Sequence, residues 1–100
     1  MTGQLSWTRD GETLALRGEL DQDLLVPLWE ARAQATDGVS AIDLSAVTFL
    51  DSAGAGLMLR LDRRARQRGV TLVFANAPES VRSVLRLFEM DGHLLAQAAQ

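Results

Sequence analysis

The chain has 100 residues, of which 47% are hydrophobic and 23% are charged, and its formal net charge is −3 at pH 7. This length and composition predict one globular domain over residues 1–100 and exclude a two-domain protein. The sequence contains no cysteine, which excludes disulfides and a cysteine nucleophile, and its single histidine, His93, excludes most chemistry that needs paired imidazoles. No apolar run approaches the ~18 residues of a membrane-spanning helix, and no basic and apolar leader is present. We therefore expect a soluble, cytoplasmic chain that binds no cofactor, no metal and no nucleic acid.

The N-terminal segment predicts a β-hairpin. Residues 5–9 alternate apolar and polar side chains, as a half-buried strand does. The dipeptide Asp10-Gly11 follows, and it favours a type I′ turn, in which both central residues have positive φ. The second strand is predicted over residues 13–17 and ends at Gly18.

Residues 21–36 predict the first helix. Asp21 or Asp23 can cap its N-terminus, Pro27 is tolerated near the first turn, and Gly38 lies past its end.

This helix carries two apolar stripes on opposite sides. The inward stripe consists of Leu24, Leu28, Ala31 and Ala35, and the outward stripe of Val26, Trp29 and Ala33, with Leu25 between them. A surface helix of a monomer needs one apolar stripe, and tryptophan is enriched at binding hot spots. Trp29 therefore predicts a partner surface, and the alternative is that it folds over the edge of the core.

The rest of the chain alternates strands and helices. In chain order we predict a buried strand at 39–44, a segment at 47–50 that runs towards a turn, a helix at 52–68, a strand at 70–75 and a helix from about 78 to 90. The helix at 52–68 places Leu57, Met58, Leu61 and Ala65 inward and has Gly69 after its C-terminus. The tail from His93 is compatible with a short strand or a frayed helix. This alternation predicts a partly parallel sheet, which the hairpin makes mixed.

The loop at residues 51–56, Asp-Ser-Ala-Gly-Ala-Gly, is the first candidate functional segment. Its small residues let another backbone or surface come close. Ser52 is a candidate partner contact or phosphorylation site, and phosphorylation there would add negative charge beside Asp51. The alternative is a plain helix N-cap. A nucleotide-binding P-loop is excluded, because no Gly-Lys-Ser/Thr follows.

The remaining charged residues predict structural roles. The basic run of Arg60, Arg63, Arg64, Arg66 and Arg68 predicts a solvated helix face, with phosphate or anionic-lipid contact as the alternative. Caps and turns are predicted for the carboxylates of Glu19, Asp21, Asp23, Asp43 and Asp51, with acid–base chemistry or cation binding as the alternative. No catalytic residue is predicted.

Residues 41–54, Ala-Ile-Asp-Leu-Ser-Ala-Val-Thr-Phe-Leu-Asp-Ser-Ala-Gly, resemble the signature of the STAS domain family. That family includes bacterial anti-sigma factor antagonists and cytoplasmic domains of sulfate transporters. The resemblance implies a single α/β STAS-like domain, with a mixed four- to five-stranded sheet and helices packed on one side. It also implies a non-catalytic module that binds another protein.

Residues 5–7, 13–16, 18–23 and 27–30 are most similar to family members that serve as the small subunit of a phospholipid ABC transporter, which maintains outer-membrane lipid asymmetry. The likeness implies a subunit that binds the transporter's ATPase and stabilises or regulates it. The complex also contains a permease and periplasmic lipid-binding subunits, so the chain would lie at the inner membrane without inserting into it.

The family's contact surface, carried over to this sequence, centres on two residues already singled out, Trp29 and Ser52. Its neighbouring residues are Val26, Ala33, Asp51, Ala53 and Ala55. Ala53 and Ala55 depart from many sigma-regulating members, which have a serine and a bulkier aliphatic residue there. The alternative function is an anti-sigma factor antagonist, whose partner is a kinase-type anti-sigma factor that phosphorylates Ser52.

Overall fold

The computed structural model describes residues 6–20 and 25–88. In chain order its elements are β1 (Ser6–Asp10), β2 (Thr13–Leu20), α1 (Val26–Glu30), α2 (Arg32–Ala35), β3 (Ala41–Leu50), α3 (Ser52–Gln67), β4 (Val73–Ala75) and α4 (Glu79–Leu87). Predictions that involve Leu5, Asp21, Asp23, Leu24, Met90 and His93 lie outside the described residues. Within residues 6–20 and 25–88, no helix combines the length and apolarity needed to cross a membrane.

The strands form one mixed sheet in the order β1-β2-β3-β4. β1 is antiparallel to β2, whereas β2, β3 and β4 are parallel to one another. One face of the sheet is buried in the core and carries Leu14, Leu16, Ile42, Leu44 and Phe74. The opposite face carries half-buried or exposed side chains, namely Ala15, Arg17, Asp43 and Ser45. The predicted mixed α/β sheet with helices on one side is therefore confirmed, with four strands.

The hairpin turn lies one residue later than predicted. Asp10 pairs with Thr13, so the two-residue loop is Gly11-Glu12 and not Asp10-Gly11. Gly11 has φ +62°, whereas Asn76 is the one described non-glycine residue with positive φ. Positive φ at the first central residue alone is typical of a type II′ turn, so the type I′ prediction is wrong.

β3 is a single ten-residue strand, so the prediction of a strand at 39–44 and a separate segment at 47–50 is wrong. At two points β3 has one residue more than β2: between the pairs Ala15–Asp43 and Arg17–Ala46, and between Gly18–Val47 and Glu19–Phe49. Such β-bulges interrupt strict alternation. The buried side chains of β3 are therefore spaced by two, three and three residues, at Ile42, Leu44, Val47 and Leu50.

Within residues 25–36 the predicted helix is instead two short helices. α1 begins at Val26 with Leu25 as its N-cap. Pro27 lies in the first turn, where its missing N–H needs no partner. The break before α2 coincides with a side-chain hydrogen bond, because the Arg32 guanidinium donates to the Trp29 carbonyl at 2.7 Å.

α3 matches its prediction closely. Its four predicted inward residues, Leu57, Met58, Leu61 and Ala65, are all buried. Gly69 follows the C-cap with φ +82°, and its N–H donates to the Arg66 carbonyl at 2.9 Å. The Val70 N–H donates to the Ala65 carbonyl at 2.9 Å, which completes a Schellman motif.

The last two elements are shorter than predicted. β4 starts at Val73 and not at residue 70, because the Leu72 N–H donates to the Asp62 carboxylate at 3.3 Å and not to the sheet. α4 starts after Pro78, as predicted, but ends at Leu87 with Phe88 as its C-cap. Val81 and Leu85 bury its inner face against the core.

Candidate functional site

An open groove of about 570 Å³ lies between α1 and the first half of α3. We call it the α1–α3 groove; its lining residues are Leu25, Val26, Trp29, Ser52, Ala53, Gly56, Leu57, Arg60 and Phe88. It brings together four residues of the predicted contact surface, namely Val26, Trp29, Ser52 and Ala53. The two residues on which the prediction centred thus meet in one concave site, although they lie on different elements.

One face of α3 forms a wall of this groove. Ala53, Gly56, Leu57 and Arg60 recur at intervals of three or four residues, which places them on one side of the helix. A Cβ atom added to Gly56 would meet no heavy atom within 4 Å. The groove is therefore open above the Gly56 backbone.

The α1 wall exposes apolar surface. Val26 is 54% exposed, although it is a large aliphatic residue in a helix that buries Leu28 completely. Trp29 is half-buried and packs against the core, so the alternative that it folds over the core edge is correct in part. The remaining surface of Trp29 lines the groove.

The guanidinium groups of two arginines lie close to the Trp29 ring. The Arg32 guanidinium carbon lies 3.8 Å from the ring centroid, and that of Arg60 lies 5.4 Å from it. Both distances fall within the range of cation–π attraction. The outward tryptophan is therefore fixed in place and flanked by positive charge, although the whole chain is acidic.

Asp51, and not Ser52, is the N-cap of α3. Its carboxylate accepts a hydrogen bond from the Gly54 N–H at 2.9 Å, and its backbone is extended. Ser52 is the first helical residue and is exposed. The plain N-cap interpretation of this loop therefore applies to Asp51, whereas Ser52 lines the groove. Asp51 itself is half-buried and does not line it.

Gly54 permits a close approach within the chain itself. A Cβ atom at this position would lie 2.5 Å from Leu50 Cδ1 and closer still to the carbonyl oxygen of Leu20. The contact that this small residue allows is thus between α3 and the end of β2. No external surface is needed to explain it.

Besides Asp51, two other predicted surface residues do not line the groove. Ala55 is fully buried, so its expected place on an exposed surface is wrong. It lies one helical turn before the buried Met58 and therefore faces the core. Ala33 is exposed but belongs to α2 and does not line the groove.

Sequence reasoning did not assign Arg60, Leu57, Leu25 or Phe88 to the site, and it included Gly56 only as part of the candidate loop at 51–56. The interval of three to four residues from Ala53 to Arg60 could have identified the α3 members. Phe88 gave no such signal, because it enters the groove from the C-cap of α4, which only the tertiary fold brings there.

Two further arginines of the basic run, Arg66 and Arg68, form ion pairs. Arg66 pairs with Asp62 at 2.9 Å, and Arg68 pairs with Asp37 at 3.6 Å. Asp62 is buried and also accepts the Leu72 N–H, a role that the sequence did not suggest. This part of the run is an ion-paired helix surface.

Asp43 forms hydrogen bonds at the first bulge of β3, on the open face of the sheet. Burial acts to raise the pKa of its carboxyl, but hydrogen bonds outweigh it and hold that pKa below its ordinary value. The donors are the backbone N–H of Ser45 at 3.0 Å, the side-chain amide of Asn76 at 3.3 Å and the Ser45 hydroxyl. Across the described ranges, no group of three or more acidic, histidine or cysteine side chains is arranged to hold a metal ion.

Known structures share this fold. The unphosphorylated anti-sigma factor antagonist SpoIIAA aligns with a TM-score of 0.73 and 21% identity, over 95% of this chain and 90% of that one. The phosphorylated form of SpoIIAA, a Bacillus cell fate determinant, aligns with a TM-score of 0.64 and 21% identity, over 95% and 94%. At this identity the likeness shows a common fold.

Sequence comparison identifies the family. A family model described as "Mlab, STAS domain" matches residues 4–96. Two curated relatives, from Escherichia coli (strain K12) and Shigella flexneri, are each 40% identical over 95 residues, which covers 95% of this chain and 98% of theirs. Both are named intermembrane phospholipid transport system binding protein MlaB. The family model and both relatives span nearly the whole chain, which therefore belongs to the STAS domain family.

Proposed function

We propose that this chain is a non-catalytic subunit of a phospholipid ABC transporter, and that it binds the transporter's ATPase and stabilises or regulates it. The names of the two relatives support membership of a phospholipid transport system. In this proposal the chain lies at the cytoplasmic side of the inner membrane and is held there by the complex. The other subunits are a permease and periplasmic lipid-binding proteins, and the system maintains outer-membrane lipid asymmetry.

The observation that carries the proposal is the meeting of Trp29 and Ser52 in the α1–α3 groove. Concave sites lined by apolar side chains, with a few polar groups, are the usual form of a binding site. An exposed aliphatic residue, Val26, extends the apolar surface beside Trp29. Burial of these two side chains against a partner would supply the hydrophobic core of an interface.

The direct test is co-purification with the transporter ATPase encoded in the same genome. The two chains are co-expressed, passed over a sizing column, and compared with a Trp29→Glu variant. If Trp29 is a hot spot, the variant should bind at least about 30-fold more weakly, the effect of losing 2 kcal/mol. The matched control is Phe49→Glu, because Phe49 is an aromatic residue that is 47% exposed and lies outside the groove.

A second variant guards against misfolding, since Trp29 also packs against the core. Val26→Glu changes a more exposed groove residue and should weaken the complex without changing the circular dichroism of the free chain. If the ATPase co-elutes equally with all variants, the interface lies elsewhere. If it does not co-elute with the folded wild-type chain, the proposed function is wrong.

An anti-sigma factor antagonist is the second candidate function, and the position of Ser52 favours it. Ser52 is exposed at the start of α3, and Asp51 performs the capping that would otherwise occupy its hydroxyl. The test is incubation with ATP and the kinase-type anti-sigma factor of the same genome, followed by mass spectrometry of residue 52. A kinase preparation that labels its known antagonist but leaves Ser52 unmodified would contradict this function, and Ser52→Ala supplies the background.

A further inference from the structure

Among the described residues, Arg60 is the one charged side chain that lines the α1–α3 groove. It forms no ion pair with them, whereas Arg66, Arg68 and Arg86 pair with Asp62, Asp37 and Glu79. Arg32, the other cation at Trp29, also forms no ion pair with a carboxylate of the described residues. Of the acidic groups along α3, Asp62 pairs with Arg66, and Asp51, the N-cap, accepts a hydrogen bond from the Gly54 N–H.

An apolar partner alone would be a poor fit for this groove. The attraction between Arg60 and the Trp29 ring keeps the guanidinium at the groove, 5.4 Å from the ring centroid. A segment that covers Trp29 would therefore remove water from the Arg60 guanidinium as well. Burial of a charge without a partner is costly, and a carboxylate that forms paired hydrogen bonds with the guanidinium offsets this cost.

We propose that the groove binds a partner segment that combines apolar side chains with a carboxylate, and that this carboxylate pairs with Arg60. This proposal rests on the proposed function, since it assigns the segment to the transporter ATPase. The groove wall from Ser52 to Arg60 is about 12 Å long at 1.5 Å per helical residue. A matching segment is about two helical turns long, with its apolar residues over Trp29 and its acidic residue at the Arg60 end.

The discriminating variant is Arg60→Met, which removes the charge but keeps a long apolar stem. If the partner supplies a carboxylate, the variant leaves that carboxylate buried without its cation, and the complex should weaken by about tenfold or more. If the partner is apolar, the variant removes a desolvation cost, and binding should be unchanged or tighter. Affinity for the purified ATPase is measured by titration calorimetry with the full-length chain.

The matched control is Arg63→Met. Arg63 is exposed on the same helix and does not line the groove, so this variant makes the same change in charge and composition. Its affinity should stay within about twofold of wild type, as expected for a residue outside the contact. Unchanged thermal unfolding of both variants shows that the fold is retained.

The outcomes separate this proposal from the proposed function. A weaker complex with Arg60→Met alone supports the charge pair. Wild-type affinity for Arg60→Met, together with loss of binding in Trp29→Glu, overturns the pair and leaves the ATPase interface intact. Equal weakening by both methionine variants also overturns it, since general helix charge would then explain the effect. If the wild-type chain does not bind the ATPase, both proposals are wrong, whereas a stable dimer of the wild-type chain through the groove overturns the charge pair.

Discussion

Replacement of Gly54 by alanine tests the packing that sets α3 against the sheet and so positions the α1–α3 groove. The added Cβ would lie 2.5 Å from Leu50 Cδ1, well inside the ~3.5–4.0 Å at which carbon atoms pack. The Leu50 methyl group can rotate away. The Leu20 carbonyl oxygen, which is closer still, belongs to the backbone of β2, and it can move only if α3 or the strand moves.

The magnitude follows from two opposing effects. Overpacking of this kind costs about 1–3 kcal/mol, and the upper value applies here because the obstacle is backbone. Alanine is a better helix former than glycine by about 1 kcal/mol. We therefore expect Gly54→Ala to lower the free energy of unfolding by about 2 kcal/mol and the Tm by about 8–16 °C.

Gly56→Ala provides the matched comparison within the same helix. A Cβ at Gly56 meets open space, so the propensity gain is not opposed by a clash. This variant should raise the free energy of unfolding by up to about 1 kcal/mol. Urea unfolding followed by far-ultraviolet circular dichroism measures both. If Gly54→Ala is as stable as the wild-type chain or more stable, the close approach of α3 to β2 is refuted.

Two further predictions concern carboxylates. Asp51→Ala should lower stability by about 1 kcal/mol, because it removes the helix cap, whereas Ser52→Ala should change it by less than about 0.5 kcal/mol; the reverse order in urea unfolding would assign the cap to Ser52. The pKa of Asp43 is lowered in the folded chain, so its carboxylate stabilises the fold above the ordinary aspartate pKa of about 3.9, and this contribution is lost as pH falls through the lowered value. Asp43→Asn should therefore be less stable than wild type at pH 7 and should approach it in acid, and a difference that does not vary with pH would contradict the account.

The elements predicted best are those whose pattern depends on local spacing. α3 keeps one apolar stripe over sixteen residues and ends at a glycine, and both signals are read from neighbouring residues. β3 was misjudged because its two bulges depend on how β2 pairs with it. The bulges change the spacing of buried residues from two to three. The alternating pattern therefore ends at residue 44, although the strand continues to residue 50. The break between α1 and α2 was not predicted for a similar reason. It coincides with a hydrogen bond from the Arg32 side chain to the Trp29 carbonyl.

Some residues of the candidate site could likewise be predicted from local sequence, whereas others depend on the tertiary fold. Trp29 and Ser52 could be selected from the sequence for different reasons. Trp29 lies on a second apolar stripe, and Ser52 lies in a loop of small residues that another surface can approach. Their meeting in one groove depends on how α1 and α3 pack. Phe88 could not be assigned, because its position relative to Trp29 is set by α4 crossing the sheet.

In the first turns of α3, some residues have a role in folding and others line the groove. Asp51 caps the helix, Gly54 admits the end of β2, and Ala55 fills the core. Folding gives no comparable reason for Ser52 or Gly56, which face the open groove. Gly56 is the more telling of the two, because a glycine within a helix lowers stability unless space is needed above it. A bulky residue at position 56 would keep the fold and obstruct the groove, so under the proposed function this glycine leaves room for a partner that lies against the α3 backbone.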